Sequence, residues 1–235
     1  MKTPPLSLII LASLSLISAS VRADSPSTNT APADTTTAPT GNVTRVACIG
    51  DSITFGARSK TPYPTQLQTI LGDKWVVKNF GVSGRTLLKK GDHPYWIERA
   101  FQMAKDFKPD VVIIMLGTND TKPQNWAHHD EFSADYKELV ESFKNLDSKP
   151  KVFVCLPPPV FPPGNYGINE ENLDIEMPII KQLATDEQAG VIDTHAPLEG
   201  KPELARDHVH PSEAGDALIA QAVADALTGK TAATP

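Results

Sequence analysis

The chain is predicted to be an α/β protein, a three-layer α/β/α sandwich around a five-stranded parallel sheet. Three observations lead there. Short β-branched apolar runs alternate with longer helical patterns between about Val43 and Leu227, as in a parallel sheet covered by helices on both faces. At 235 residues and 40% hydrophobic content, the chain can bury one core but is too short for two ordinary domains plus a leader. Right-handed crossovers between parallel strands then favour the doubly wound order 2-1-3-4-5, with the first strand central.

Residues 1–23 read as a secretory signal: Lys2 supplies the positive end, Leu6 to Ile17 the apolar stretch, and Val21-Arg22-Ala23 a small-residue cleavage site. The apolar stretch is shorter than the roughly 20 residues of a spanning helix, so stable membrane insertion after cleavage is not expected. Residues 24–42 mix Ser, Thr, Ala and Pro with almost no large apolar side chains, which predicts a disordered linker. The folded domain is expected over residues 43–228 and a flexible tail over 229–235.

Within the domain the expected strands are Arg45 to Ile49, Trp75 to Asn79, Val111 to Leu116, Lys151 to Leu156 and Val191 to Asp193. Helices are expected at about Pro64 to Leu71, Tyr95 to Phe107, Phe132 to Leu146, Ile175 to Glu187 and Ser212 to Leu227. Met103, Phe107, Tyr136, Leu139, Val140 and Phe143 recur at helical spacing and form core faces. Pro178 should kink the fourth helix or start it. The Pro157 to Gly164 run can be neither helix nor inner strand, and it leads into a polar loop through Asn172 of the length that often walls a binding site. Cys48 and Cys155 lie in apolar runs on strands that the topology separates, so both should be free, buried thiols.

A net charge of -6 and the absence of any Lys/Arg run argue against a nucleic-acid partner. Chemistry gathers instead at the carboxyl edge of the sheet, where doubly wound folds place their sites. Gly50-Asp51-Ser52 follows the first strand, Gly81-Val82-Ser83-Gly84 the second, and Gly117-Thr118-Asn119-Asp120 the third. Asp207-His208-Val209-His210-Pro211 follows the fifth. Each turn alone has a structural explanation: Ser52 as a helix cap, Gly84 as a left-handed turn residue, Asn119-Asp120 as a turn pair, Asp207 to Pro211 as a polar entry to the last helix. Together they make an acyl-transfer site. His210 can take the Ser52 proton, and Asp207 can hold the imidazole in the right tautomer. The Ser52 and Gly84 N–H groups and the Asn119 amide can meet an oxyanion.

These blocks, in this order, resemble those of the GDSL/SGNH hydrolase family over essentially the whole stretch from Val43 to Leu227. The resemblance implies Ser52 as nucleophile and oxyanion donor, Gly84 and Asn119 as the remaining oxyanion donors, Asp207 and His210 as triad partners, and no metal or organic cofactor. His208 departs from the pattern, standing where many relatives have glycine. Ser83 is a poor second nucleophile, because Arg85 breaks the G-x-S-x-G pattern. The pairs His208/His210 and His128/His129 lack zinc-site spacing and cysteine partners.

Substrate contacts must come from the rims. Asp51, Asn125, Trp126 and His208 are the candidate substrate-binding residues, with Arg58, Tyr63, His93, Tyr95, Trp96, Phe161 and Tyr166 in loops that reach toward the same edge. Trp126 and Asn125 suit a sugar ring, and Trp126 could equally plug its loop. The chain further resembles exported bacterial carbohydrate acetylesterases of the sialate and xylan type, which implies a glycan or small-molecule ester substrate and a periplasmic or extracellular location. A lipase, lysophospholipase or thioesterase, and a non-catalytic carbohydrate-binding module on the same fold, are the alternatives. Oligomeric state is left open.

Overall fold

A computed structural model of the chain describes residues 43–230. The predicted signal, the linker and most of the tail lie outside the described residues. Five parallel strands, β1 (Thr44–Gly50), β2 (Trp75–Gly81), β3 (Val111–Met115), β4 (Lys151–Leu156) and β5 (Gly190–Asp193), form one sheet in the order β2-β1-β3-β4-β5. The expected order is found; β1 is an inner strand between β2 and β3, and the middle strand of the five is β3.

Alternation along the strands sorts the core into two layers. Ala47 and Ile49 of β1, Val112 and Ile114 of β3 and Val152 and Val154 of β4 face one side. There they pack on α3 (Arg99–Asp106), α5 (Phe132–Lys144) and α6 (Glu170–Asp186) through residues such as Ala104, Leu139, Phe143 and Ile180. Val46, Cys48, Ile113, Met115 and Cys155 face the other side, against α2 (Tyr63–Leu71) and α7 (Glu213–Thr228) through Leu67, Ile219 and Val223. Both cysteines are free and buried, and desolvation pushes the Cys48 thiol up to about 12.

Two helices depart from expectation. The pattern from Tyr95 to Phe107 breaks at Glu98, whose extended backbone separates a 3₁₀ turn over Tyr95–Ile97 from α3. The fourth helix starts earlier than predicted, at Glu170, because the Asn169 side chain caps it by accepting from Asn172 N at 3.0 Å. Pro178 neither starts nor ends it. The carbonyl that this proline leaves unpaired belongs to the exposed residue Asp174, where water can satisfy it. α7 begins as predicted behind Ser212, its N-cap.

Two short helices sit on the carboxyl edge, α1 (Ser52–Phe55) and α4 (Pro123–Trp126). Strand glycines let α1 lie directly on the sheet: a Cβ on Gly81 would stand 2.3 Å from Phe55 N, and one on Gly50 would stand 2.0 Å from Thr54 Oγ1. The Asn79 amide of β2 also donates to Thr54 O at 2.7 Å. The turn carrying Ser52 is thus clamped to β1 and β2.

Candidate active site

Ser52 is the first residue of α1 and does not cap it. The cap is Asp51, whose carboxylate accepts from Ile53 N at 2.9 Å. The Ser52 hydroxyl is therefore free of helix duties, and it lies 2.8 Å from His210 Nε2. On the far side of the ring, His210 Nδ1 lies 2.9 and 3.0 Å from the two Asp207 oxygens. In the tautomer with its proton on Nδ1, His210 donates to Asp207 and accepts from Ser52. Asp207 also accepts from the His210 backbone N–H at 2.8 Å, a turn closed within three residues. Burial works to raise the Asp207 carboxyl, but the His210 backbone and ring and the Tyr166 hydroxyl together hold it down at about 2.

The expected oxyanion donors stand on three different turns. Gly84 has φ +80° and open space where a side chain would be. Among the described residues, neither the Ser52 nor the Gly84 N–H has a protein acceptor. Asn119 is buried, and its amide N–H groups point at Asp51 Oδ2 and Arg85 O, both at 3.2 Å. An acceptor arriving at the Asn119 amide must displace one of these two long bonds.

Sequence reasoning placed Asp120 in a motif without giving it a job. Its buried carboxylate accepts from Leu87 N at 3.0 Å and Leu88 N at 2.7 Å, tying the segment after Gly84 to the turn holding Asn119. Burial raises this carboxyl to about 7 and that of Asp51 to about 6. Beneath them lies Glu176 of α6, fully buried, with neither oxygen hydrogen-bonded. Burial, then Asp120 and Asp51, pushes its carboxyl well above the ordinary range. The sequence signal for Glu176 was only an acid on the apolar face of a helix.

Several rim expectations need correction. Asn125 is buried: its oxygen accepts from Asp92 N, and its amide donates to Asp92 Oδ1 and Asn119 O, which leaves nothing for a sugar. Asp51 is likewise committed to Ile53 and Asn119, so it supports the site from behind. Tyr63 and Tyr95 are core residues, the latter donating to Phe80 O at 2.7 Å. Trp126 is half-buried and stacks on His129 with ring centroids 5.0 Å apart. His208 is exposed at the rim with φ +71°, which explains glycine at this position as the unstrained choice. Ser83 is exposed, and among the described residues its hydroxyl has no base within hydrogen-bond reach.

Among the described residues, no group of three or more His, Cys, Asp or Glu is arranged to hold a metal ion, and no helix is long and apolar enough to cross a membrane.

An acetylxylan esterase from Xylanibacter ruminicola is 40% identical over 213 residues, which is 81% of this chain and 44% of that protein. The chain thus spans less than half of that relative. An acetylxylan esterase from Geobacillus stearothermophilus is 28% identical over 77% of this chain and 93% of its own length. The solved structure of Est24, a carbohydrate acetylesterase from Sinorhizobium meliloti, is 25% identical and superposes with a TM-score of 0.67, covering 79% of this chain and 99% of that one. The sequence profile of the GDSL-like lipase/acylhydrolase family matches residues 48–218, and the chain belongs to that family.

Proposed function

We propose that the protein is a serine esterase that removes acetyl groups from carbohydrates. The observation that carries this reading is the continuous chain Asp207–His210–Ser52, with contacts of 2.9 and 2.8 Å. Ser52 Oγ attacks the acyl carbon while its proton passes to His210 Nε2. The carbonyl oxygen becomes an oxyanion held by the Ser52 and Gly84 N–H groups and by Asn119, which exchanges one of its long internal bonds for the new one. His210 then returns the proton to the departing sugar oxygen, leaving acetyl-Ser52. A water activated by the same imidazole hydrolyses that ester and releases acetate. Carbohydrate acetate as the substrate class is supported by the acetylxylan and carbohydrate acetylesterases that the chain resembles. Export is inferred from the leader pattern of residues 1–23.

The test measures acetate release from acetylated xylan, and p-nitrophenyl acetate hydrolysis against longer-chain esters. Ser52→Ala should abolish turnover while leaving the far-UV circular dichroism unchanged. Preference for long acyl chains would return the lipase reading. A Ser52→Ala variant at parental rate would refute the nucleophile.

A further inference from the structure

The Asp207 carboxylate is approached from two loops besides its own. Tyr166, in the loop between β4 and α6, donates its hydroxyl to Asp207 Oδ2 at 3.0 Å. Its ring meets His210 edge-on, with centroids 5.7 Å apart and planes at 66°. Arg58, in the turn after α1, has Nε 3.5 Å from the same Oδ2, and its Nη2 donates to the Tyr166 hydroxyl at 3.2 Å. Asn165 adds a bond from its amide to Asp207 O at 3.3 Å. Meanwhile Asp207 Oδ1 accepts the backbone N–H groups of Val209 and His210. Both carboxylate oxygens are therefore held from outside the imidazole.

Backbone conformation points the same way. Arg58 and Tyr166 have φ of +71° and +57°, left-handed values that cost non-glycine residues about 1 kcal/mol or more. Both bring their side chains to Asp207, whose neighbour His208 is left-handed too. Strain that persists around one carboxylate, from separate segments, marks a place where position matters.

We propose that Tyr166 and Arg58 are positioning residues that lock the Asp207 carboxylate against His210 and offset part of its charge, so that it favours the imidazolium less than a bare carboxylate would. This rests on His210 being the base for Ser52. The sign follows from Coulomb's law: a carboxylate stabilises imidazolium, and a donor hydroxyl or guanidinium on that carboxylate weakens the stabilisation. The other charged or titratable groups around the pair are Asp51 behind the ring, the adjacent His208, and Arg206, which is ion-paired to Glu213 of α7. Among the described residues, Arg58 and Tyr166 are the groups besides the His210 ring that touch Oδ2.

The experiment compares Tyr166→Phe, Arg58→Gln and Arg58→Lys with the parent, all at solvent-facing positions. The pH profile of kcat/KM on p-nitrophenyl acetate is measured beside NMR titration of the His210 ring. Tyr166→Phe and Arg58→Gln should each raise the acidic limb and the His210 midpoint, with KM unchanged within about twofold. Tyr166→Phe should also lower plateau kcat about 3- to 10-fold by freeing the carboxylate, and Arg58→Lys should restore the limb. Unmoved limb and His210 midpoint, or a rise in KM at constant kcat, would overturn the proposal. The NMR readout needs no turnover: if the variants shift the midpoint while the parent hydrolyses no ester, the proposed function fails and the clamp stands.

Discussion

Replacing Glu176 with glutamine should remove a pH dependence from folding stability. Glu176 is fully buried beneath the Asn119 turn, and a Cβ on Gly117 would stand 2.6 Å from its Oε2. Neither carboxylate oxygen has a hydrogen-bond partner, so the neutral acid is the form that the site tolerates. Its folded value lies well above 4.5, its ordinary one, chiefly through burial. The native state then keeps a proton that the unfolded chain has released. The stability this gives is complete below the unfolded value and is lost as pH rises through the folded one. One such carboxyl changes the unfolding free energy by about 1.4 kcal/mol per pH unit inside that window. Asp51, Asp120 and Asp216, raised by burial to about 6, 7 and 7, pull in the same direction and remain in the variant. Between pH 5 and pH 6, Glu176→Gln should therefore lose less stability than the parent, by on the order of 1 kcal/mol, because it lacks one titrating group. Urea unfolding at both pH values, followed by circular dichroism, measures the difference. If parent and variant curves run parallel, Glu176 titrates as it would in the unfolded chain and the reasoning is wrong.

Asn119→Ala should lower kcat on p-nitrophenyl acetate by about 10²–10³ and cost roughly 1 kcal/mol of stability, since two long internal bonds disappear with the oxyanion donor. A loss below about tenfold would remove Asn119 from the oxyanion hole. Gly81→Ala should cost about 2 kcal/mol or more in thermal unfolding and reduce activity, because the new Cβ would stand 2.3 Å from Phe55 N and 2.7 Å from Thr54 C. Those are backbone atoms of the helix that carries Ser52, so an unchanged melting temperature would contradict the close packing of α1 on β2.

Sheet order, approximate strand limits and the meeting of Ser52, Asp207 and His210 at one sheet edge were legible because each rests on a local pattern: β-branched runs, a short motif, a turn of fixed spacing. Helix ends were less so. Glu98 breaks a continuous apolar pattern by backbone conformation alone, and Asn169 starts α6 through a cap hidden in a polar stretch. The rim was least legible, since whether a side chain faces outward depends on partners distant in sequence. Asn125 looked like a sugar contact until Asp92, 33 positions away, took its oxygen and shared its amide. For Trp126 the sequence leaves a sugar contact and a loop plug equally open, and the His129 ring stacked on it lies outside what that pattern shows. Asp120 and Glu176 illustrate the same limit inside the protein, where burial decides what an acid does.

Ser52 and the Asp207–His210 pair belong to parts of the molecule that are tied to the core in different ways. Ser52 follows β1, an inner strand, whereas Asp207 and His210 lie outside the sheet on a stretch held by the bridge Ala205–Pro211, by Ser212 N to Leu204 O, by Arg206 N to His210 O, by Phe161 N to His208 O, and by Tyr166, Arg58 and Asn165 on Asp207. These ties run to loops rather than to sheet hydrogen bonds, so the stretch opens at a lower free energy than the sheet. Asp207 and His210 would leave together while Ser52 stayed seated, so a local opening of a few residues would break the Ser52–His210 contact and its closure would restore it.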